Sequence, residues 1–255
     1  MKKSVWDRTM INAKSKKAIL GVFTLLALIV GIWFVYFARI AAPDFSQYPA
    51  GPERKTAFFS YFEPIVAEVN MAIRADRAQI QDACSSEDSL VSELDGLATK
   101  YRVDDGVLEK EPLCDLLLRR ADIVPASLAL AQGANESAWG TSRFAQEGNN
   151  FFGQWCFEEG CGIVPNRRDE NKAHEVADFN SPGDSVKSYM LNLNGHDAYK
   201  PLRIIRQSLR EEDTDITGIQ LSRGLNKYSE RGSKYGEELR EMIRFNKLTQ
   251  YDDAQ

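Results

Sequence analysis

Twenty consecutive residues, AILGVFTLLALIVGIWFVYF at 18–37, carry neither charge nor proline. As a helix they rise about 30 Å, the thickness of a hydrocarbon core. That run constrains the rest of the chain, because crossing a membrane delivers the downstream residues into another compartment. Trp33 and Tyr36 sit near its far end, where amphipathic rings suit the lipid–water interface. Lys2, Lys3, Arg8, Lys14, Lys16 and Lys17 precede it against one acid, Asp7, and such an excess of positive charge holds that end in the cytoplasm. A cleaved signal peptide is the rival reading. The run is longer than the usual signal core, however, and ARIAAPD after it offers no A-x-A cleavage site. An uncleaved single-pass anchor is expected.

Cys84, Cys114, Cys156 and Cys161 then lie in an oxidising space where disulfides persist. Cys156 and Cys161 bracket FEEG, a loop short enough to close. Three pairings are formally possible, and the expected set is Cys156–Cys161 with Cys84–Cys114. Zinc is the alternative use, but no C-x-x-C occurs and the two histidines lack ligand spacing, so no metal is expected. The net charge of -5 includes the basic N-terminus, which leaves the remainder more acidic still. Acidic surfaces repel phosphate backbones, which argues against a nucleic-acid partner.

Composition divides the chain into a basic cytoplasmic segment (1–17), the apolar span (18–37), a linker rich in proline (38–52), a helical N-terminal region (53–120) and a larger domain (121–249). Phe58, Phe62, Ile65, Val66, Val69, Ile73 and Ile80 form a stripe at helical spacing. Pro64 should kink or restart that helix. Further helical runs cover 89–101 and 112–120. Pro125 suits a first helical turn, and SLALAQGANESAW is apolar or small on most faces, so this helix should be buried, with Gly140 ending it. FFGQWCFEEGCGIVP loses helical period. HEVADF (174–179) alternates as a strand does, with Ile163 and Val164 as its partner. Ser181 followed by Pro182 and Asp184 reads as a helix start. Helices are expected over 183–193, 199–209, 214–223 and 233–247. The fold class is α+β, dominated by helix, with one small strand pair.

Glu136 lies four residues after Gln132 and three before Trp139, so on a continuous helix all three share a face. It sits in the last turn, where the helix dipole disfavours an anion, and Trp139 would strip away water. Both effects favour the neutral acid, which can protonate a leaving oxygen as glycoside hydrolysis requires. The bland readings are a solvated surface glutamate, or an ion pair with Arg143 or Arg168.

The run IVPASLALAQGANESAWGTSRFAQEGNNFFGQW (123–155) resembles the glucosaminidase domain of glycoside hydrolase family 73, the mannosyl-glycoprotein endo-beta-N-acetylglucosaminidase type, and within it the Bax-like branch. The shared pattern is A-Q-x-x-x-E-S-x-W-G-x-S followed by N-N-x-F-G. Ala131, Gln132, Glu136, Ser137, Trp139, Gly140, Ser142, Asn149, Asn150, Phe152 and Gly153 supply every position of it. A looser likeness extends through CGIVP, SPGDSVKSYMLNLNGHDAYKPLR and GLNKYSERGSKY, and back to ERKTAFFSYFEPIV.

That resemblance implies a lysozyme-like fold with a groove between a helical lobe and a small β lobe. It also implies hydrolysis of the β-1,4 bond after N-acetylglucosamine in peptidoglycan strands, without a cofactor. The compartments become inner membrane and periplasm. The family's catalytic glutamate falls on Glu136 and a groove tyrosine on Tyr228. Several members carry a second acid on the β lobe, but the matching strand CGIVP holds none. Glu158, Glu170 and Glu175 lie nearby, and Glu175 is preferred because HEVADF reads as an ordered strand. Should none serve, the sugar's own 2-acetamido oxygen can attack instead.

Gln132, Trp139, Asn149, Asn150, Phe152 and Trp155 are the candidate sugar contacts. Phe152 is as simply a core residue, and Trp155 an ordinary tryptophan beside a disulfide. Arg119 and Arg120 are candidates for peptide carboxylates, with charge at a helix end as the plainer role. Two rivals remain: a muramidase or lytic transglycosylase on the same fold, and a wall-binding scaffold without catalysis.

Overall fold

Phe58, Phe62, Val66, Ile73 and Ile80 recur at helical spacing, and all five are buried along one side of helix α1, Pro52–Ser85. The structure, a computed structural model, describes residues 42–85, 94–103, 111–166 and 174–252. Helix α1 runs through Pro64 without interruption, so the expected restart does not occur. Pro64 and Ser60 both lie on its exposed side, where the carbonyl that proline cannot satisfy is free to bond to water. The apolar run at 18–37 and positions 89–93 of the second expected helix lie outside the described residues. Among the described residues no helix is long and apolar enough to cross a membrane.

Helix α2 (Asp95–Lys100) and helix α3 (Leu113–Arg120) close a small core with the end of α1, built on Ile80, Leu97, Tyr101 and Leu117. The Cys84–Cys114 disulfide ties α1 to α3 there, as expected. Helix α4 (Ala126–Glu136) is buried at every position from Ala126 to Ala134. Its small side chains let neighbours approach closely; a Cβ on Gly133, for example, would lie 3.4 Å from the ring of Phe152 and 3.5 Å from that of Phe58. Phe58, Phe59, Phe62, Val66 and Ile73 of α1 share one core with Leu128 and Leu130 of α4. The described residues join it in one compact unit.

Helix α5 (Arg143–Gly148) leads into a three-stranded antiparallel sheet of β1 (Trp155–Cys156), β2 (Gly162–Ile163) and β3 (Glu175–Ala177), with β3 in the middle. The expected pair is present, with Ile163 opposite Val176, and β1 adds a third strand through Trp155 opposite Val176. The Cys156–Cys161 disulfide closes the turn between β1 and β2. Among the described residues four α-helices follow: α6 (Pro182–Gly195), capped by Ser181 as expected, α7 (Lys200–Glu211), the short α8 (Gly218–Leu221) and α9 (Ser233–Phe245). Helices α1, α8 and α9 surround α4.

Arginines from α7 fasten these parts together. Arg206, 1% exposed, donates to the carbonyls of Asp122 and Ile123 and to Asn194 Oδ1. The Asp122 carboxylate accepts from Arg210 at 3.0 and 2.8 Å and pairs with Arg77 at 3.6 Å. Burial pushes that carboxyl up, but Arg210, Arg206 and Arg77 outweigh burial and hold it below the ordinary range. The segment entering α4 is thereby anchored to α1, α6 and α7.

Candidate active site

Glu136 is the last residue of α4, and the chain leaves the helix immediately after it. Ala138 (φ 51°), Trp139 (φ 63°) and Gly140 (φ 76°) are successively left-handed. Each non-glycine residue in that region costs about 1–2 kcal/mol, so the turn must be held from elsewhere. Trp139 N donates to Ala134 O at 2.9 Å, Ser142 N to Ser137 O at 2.9 Å, and Gly140 N to Ser137 Oγ at 2.8 Å. A Cβ on Gly140 would fall 2.3 Å from the Phe45 ring. Ser142 then caps α5 by accepting from Ala145 N. The E-S-x-W-G-x-S pattern is thus the chemistry of a rigid helix exit with a carboxylate at its lip.

The carboxylate is half-buried, and its two oxygens differ. Oε1 accepts from Tyr235 Oη at 2.8 Å and from Asn135 Nδ2 at 3.0 Å. Oε2 accepts from no described residue and lies 3.8 Å from where a Cβ would stand on Gly153. Gly153 is exposed and left-handed (φ 64°), so its bare backbone leaves that oxygen approachable.

Behind Glu136 runs a chain of hydroxyl and amide groups. Tyr189 Oη donates to Gln132 Oε1 at 2.6 Å, and Gln132 Nε2 donates to Tyr235 Oη at 2.9 Å. Tyr228 stacks on Tyr235, ring centroids 5.3 Å apart, and donates to the carbonyl of Phe152 at 2.9 Å. Burial raises the phenols of Tyr189, Tyr228 and Tyr235 above the ordinary tyrosine range, and the negative charge of Glu136 adds to it. All three therefore remain O–H donors.

Several expected contacts have other duties. Gln132 is fully buried and meets Glu136 only through Tyr235, as a positioning group and not a sugar contact. Trp139 packs edge-on against Phe58 and Phe59, with Lys55 Nζ 5.0 Å from its ring centroid. The aromatic bonded to Glu136 is Tyr235 instead, because the left-handed turn breaks the helical spacing. Asn149 ends α5 in the left-handed conformation (φ 47°) and donates to Phe179 O. Asn150 is consumed by the loop: its Nδ2 donates to Gln154 O and Ala177 O, and its Oδ1 accepts from Phe152 N and Gln154 N. Phe152 is core, stacked on Tyr189 at 4.0 Å. Trp155 is 58% exposed and stacks on His174 at 4.1 Å.

Glu175 is 5% exposed, and its oxygens accept from Gly160 N at 3.2 Å and Gly162 N at 2.8 Å. It holds the β1–β2 turn, and the role of second acid does not suit a carboxylate occupied in this way. Cys156, Cys161 and Glu175 are close enough together to hold a metal, but the two sulfurs are bonded to each other. Tyr235 and Asn135 are functional neighbours that sequence reasoning misses. The one signal for Tyr235 is the segment GLNKYSERGSKY, in which the family resemblance falls on Tyr228.

A buried helix ending in a carboxyl group, with a neutral phenol on one oxygen and open approach to the other, is the arrangement of a glycoside hydrolase. The chain belongs to the glucosaminidase family: residues 113–248 match the family described as mannosyl-glycoprotein endo-beta-N-acetylglucosaminidase. Protein bax of Escherichia coli K12 is 35% identical over 210 residues, covering 80% of this chain and 74% of that protein. The catalytic domain of the autolysin Auto from Listeria monocytogenes is similar over 81% of this chain and 92% of that one, at 18% identity and a TM-score of 0.45.

Proposed function

We propose that this glucosaminidase is a membrane-anchored peptidoglycan hydrolase that cleaves the β-1,4 bond after N-acetylglucosamine, with Glu136 as its general acid. One observation carries the reading: Oε1 of Glu136 is fixed by Tyr235 while Oε2 is left open beside Gly153. A proton on Oε2 can pass to the glycosidic oxygen as the bond to the anomeric carbon breaks, with water taking the leaving oxygen's place at that carbon. The charge left on the carboxylate then strengthens the Tyr235 hydrogen bond, which favours the transition state over the ground state. Tyr228 sets the Tyr235 ring from one face, and Gln132 sets its hydroxyl. Exposed Trp155 offers a flat face to a sugar ring.

The uncharged run at 18–37 supports an inner-membrane anchor, with the N-terminus in the cytoplasm and the catalytic unit in the periplasm. Two disulfides fit that oxidising compartment.

Digestion of purified sacculi by wild type and Glu136→Gln tests the assignment. The variant should lose roughly 10²–10⁴ in rate, as loss of a general acid does, while still binding sacculi. Mass spectrometry of the products should find reducing N-acetylglucosamine ends. Ends in 1,6-anhydro-muramic acid would instead make the protein a lytic transglycosylase, and equal digestion by both proteins would make it a binding scaffold.

A further inference from the structure

A cavity of 260 Å³ opens between the end of α3 and the start of α7, lined by none of the residues around Glu136. Arg119 and Arg120 come from α3, Lys200 and Arg203 from α7, with Glu111 and Asp197 as the acids of its wall. Cations therefore outnumber carboxylates, and the positive end of the α7 dipole adds to the imbalance.

Donors on residues that line this cavity are left over. Arg203 is 2% exposed; its Nη1 donates to Leu193 O at 2.9 Å and His196 O at 2.8 Å, yet its Nε and Nη2 donate to no described residue. Arg119 Nε is buried without an acceptor. Buried donors are satisfied almost everywhere in folded proteins, so the unmatched Arg119 Nε, on the same wall as a guanidinium with nitrogens that no described residue uses, points to an acceptor that arrives from outside. Asp197, 3.4 Å from Arg120 Nη2, is not seated deeply, its side chain being 82% exposed. Burial first, and then the charges of Arg120 and Arg206, brings Arg203 down to about 9.

Glu111 shows which anion the wall accommodates. Its carboxylate pairs with Arg119 and reaches Lys200 at 3.5 Å from the rim. Guanidinium forks match planar carboxylates, and the volume suits a short acid. We propose that this cavity binds a carboxylate group of a ligand through Arg203, Arg119 and Lys200, with Glu111 as a competing internal carboxylate. On the reading of peptidoglycan as substrate, the peptide branches supply that group, but binding of a simple carboxylate does not depend on that reading.

Isothermal titration calorimetry of the full-length protein in detergent solution tests this, with glutarate, its uncharged isostere glutaramide, and inorganic phosphate at matched ionic strength. Saturable binding of glutarate but not of glutaramide is expected. Lys200→Ala, at a side chain 53% exposed, should weaken glutarate at least threefold. Glu111→Gln should strengthen it at least threefold, and Glu136→Gln should leave it unchanged. The proposal is overturned by an absence of saturable glutarate binding, by affinities that ignore both Lys200→Ala and Glu111→Gln, by loss of binding in Glu136→Gln, or by phosphate binding as tightly as glutarate.

Discussion

The hydroxyl of Tyr235 donates to Oε1 of Glu136 at 2.8 Å across 99 residues of sequence. Tyr235→Phe removes that donor and leaves the buried Nε2 of Gln132 without its acceptor. A buried unsatisfied group costs about 1–3 kcal/mol, and a hydrogen bond to a charged group is worth about 1.5–3 kcal/mol. The variant should unfold at a lower temperature, and its kcat should fall roughly 10- to 100-fold. KM should hardly move, since Tyr235 is buried away from substrate. Steady-state rates on soluble glycan strands, with a thermal melt, check both.

Gly153→Ala tests the approach to Oε2. The new methyl would sit 3.8 Å from that oxygen, at a backbone position with φ 64°. The strain costs about 1–2 kcal/mol, a shift of a few degrees in melting temperature for a unit of this size. Activity should fall more than tenfold, far out of proportion to the melt. Rates and melts measured on one preparation separate the two effects.

Local pattern reveals the elements whose causes are local. Small residues on nearly every face of α4 announce its burial, and the spacing of Cys156 and Cys161 their bond. Trp139 is misplaced by i, i+3 spacing, which presumes that the helix continues, whereas the chain turns left-handed at Ala138. Asn149 and Asn150 resemble sugar contacts because polar pairs in a loop suggest ligands; the loop needs them for its own backbone groups. Tyr235 is missed for a different reason. Nothing within a dozen residues of it says that it will meet Glu136, and only the packing of α9 on α4 brings them together.

Asp122 should govern stability in acid. Its folded-state value is lowered from 3.8, so the stability it adds is present above about pH 4 and lost as pH falls through the lowered value. Asp122→Asn leaves Arg77, Arg206 and Arg210 without their shared anion, a loss of about 3–5 kcal/mol for a broken buried pair. Urea unfolding at neutral pH should therefore show a much lower midpoint. Between pH 4 and pH 2 the variant's midpoint should fall less steeply than that of wild type.

The two disulfides should differ in worth. Cys84–Cys114 closes a separation of 30 residues and Cys156–Cys161 one of 5. Loop-closure entropy gives about 4 kcal/mol for the first and about 2 kcal/mol for the second. Replacing the first pair by serine should lower the denaturation midpoint more than replacing the second, with the m-value as a check on the unfolded state.

Glu175 and Glu136 are both partly or wholly withdrawn from water, but their oxygens are used differently. Glu175 accepts backbone N–H groups with both, from Gly160 and Gly162, whereas Glu136 keeps Oε2 open. In Glu175→Gln the amide retains one acceptor and turns an NH₂ toward a backbone N–H that had been accepted. The β1–β2 turn should loosen, with a lower melting temperature. Its kcat should stay within tenfold of wild type, against the loss of roughly 10²–10⁴ expected for Glu136→Gln. A kcat for Glu175→Gln as low as that of Glu136→Gln, in protein that melts normally, would make Glu175 the second catalytic acid despite its backbone bonds.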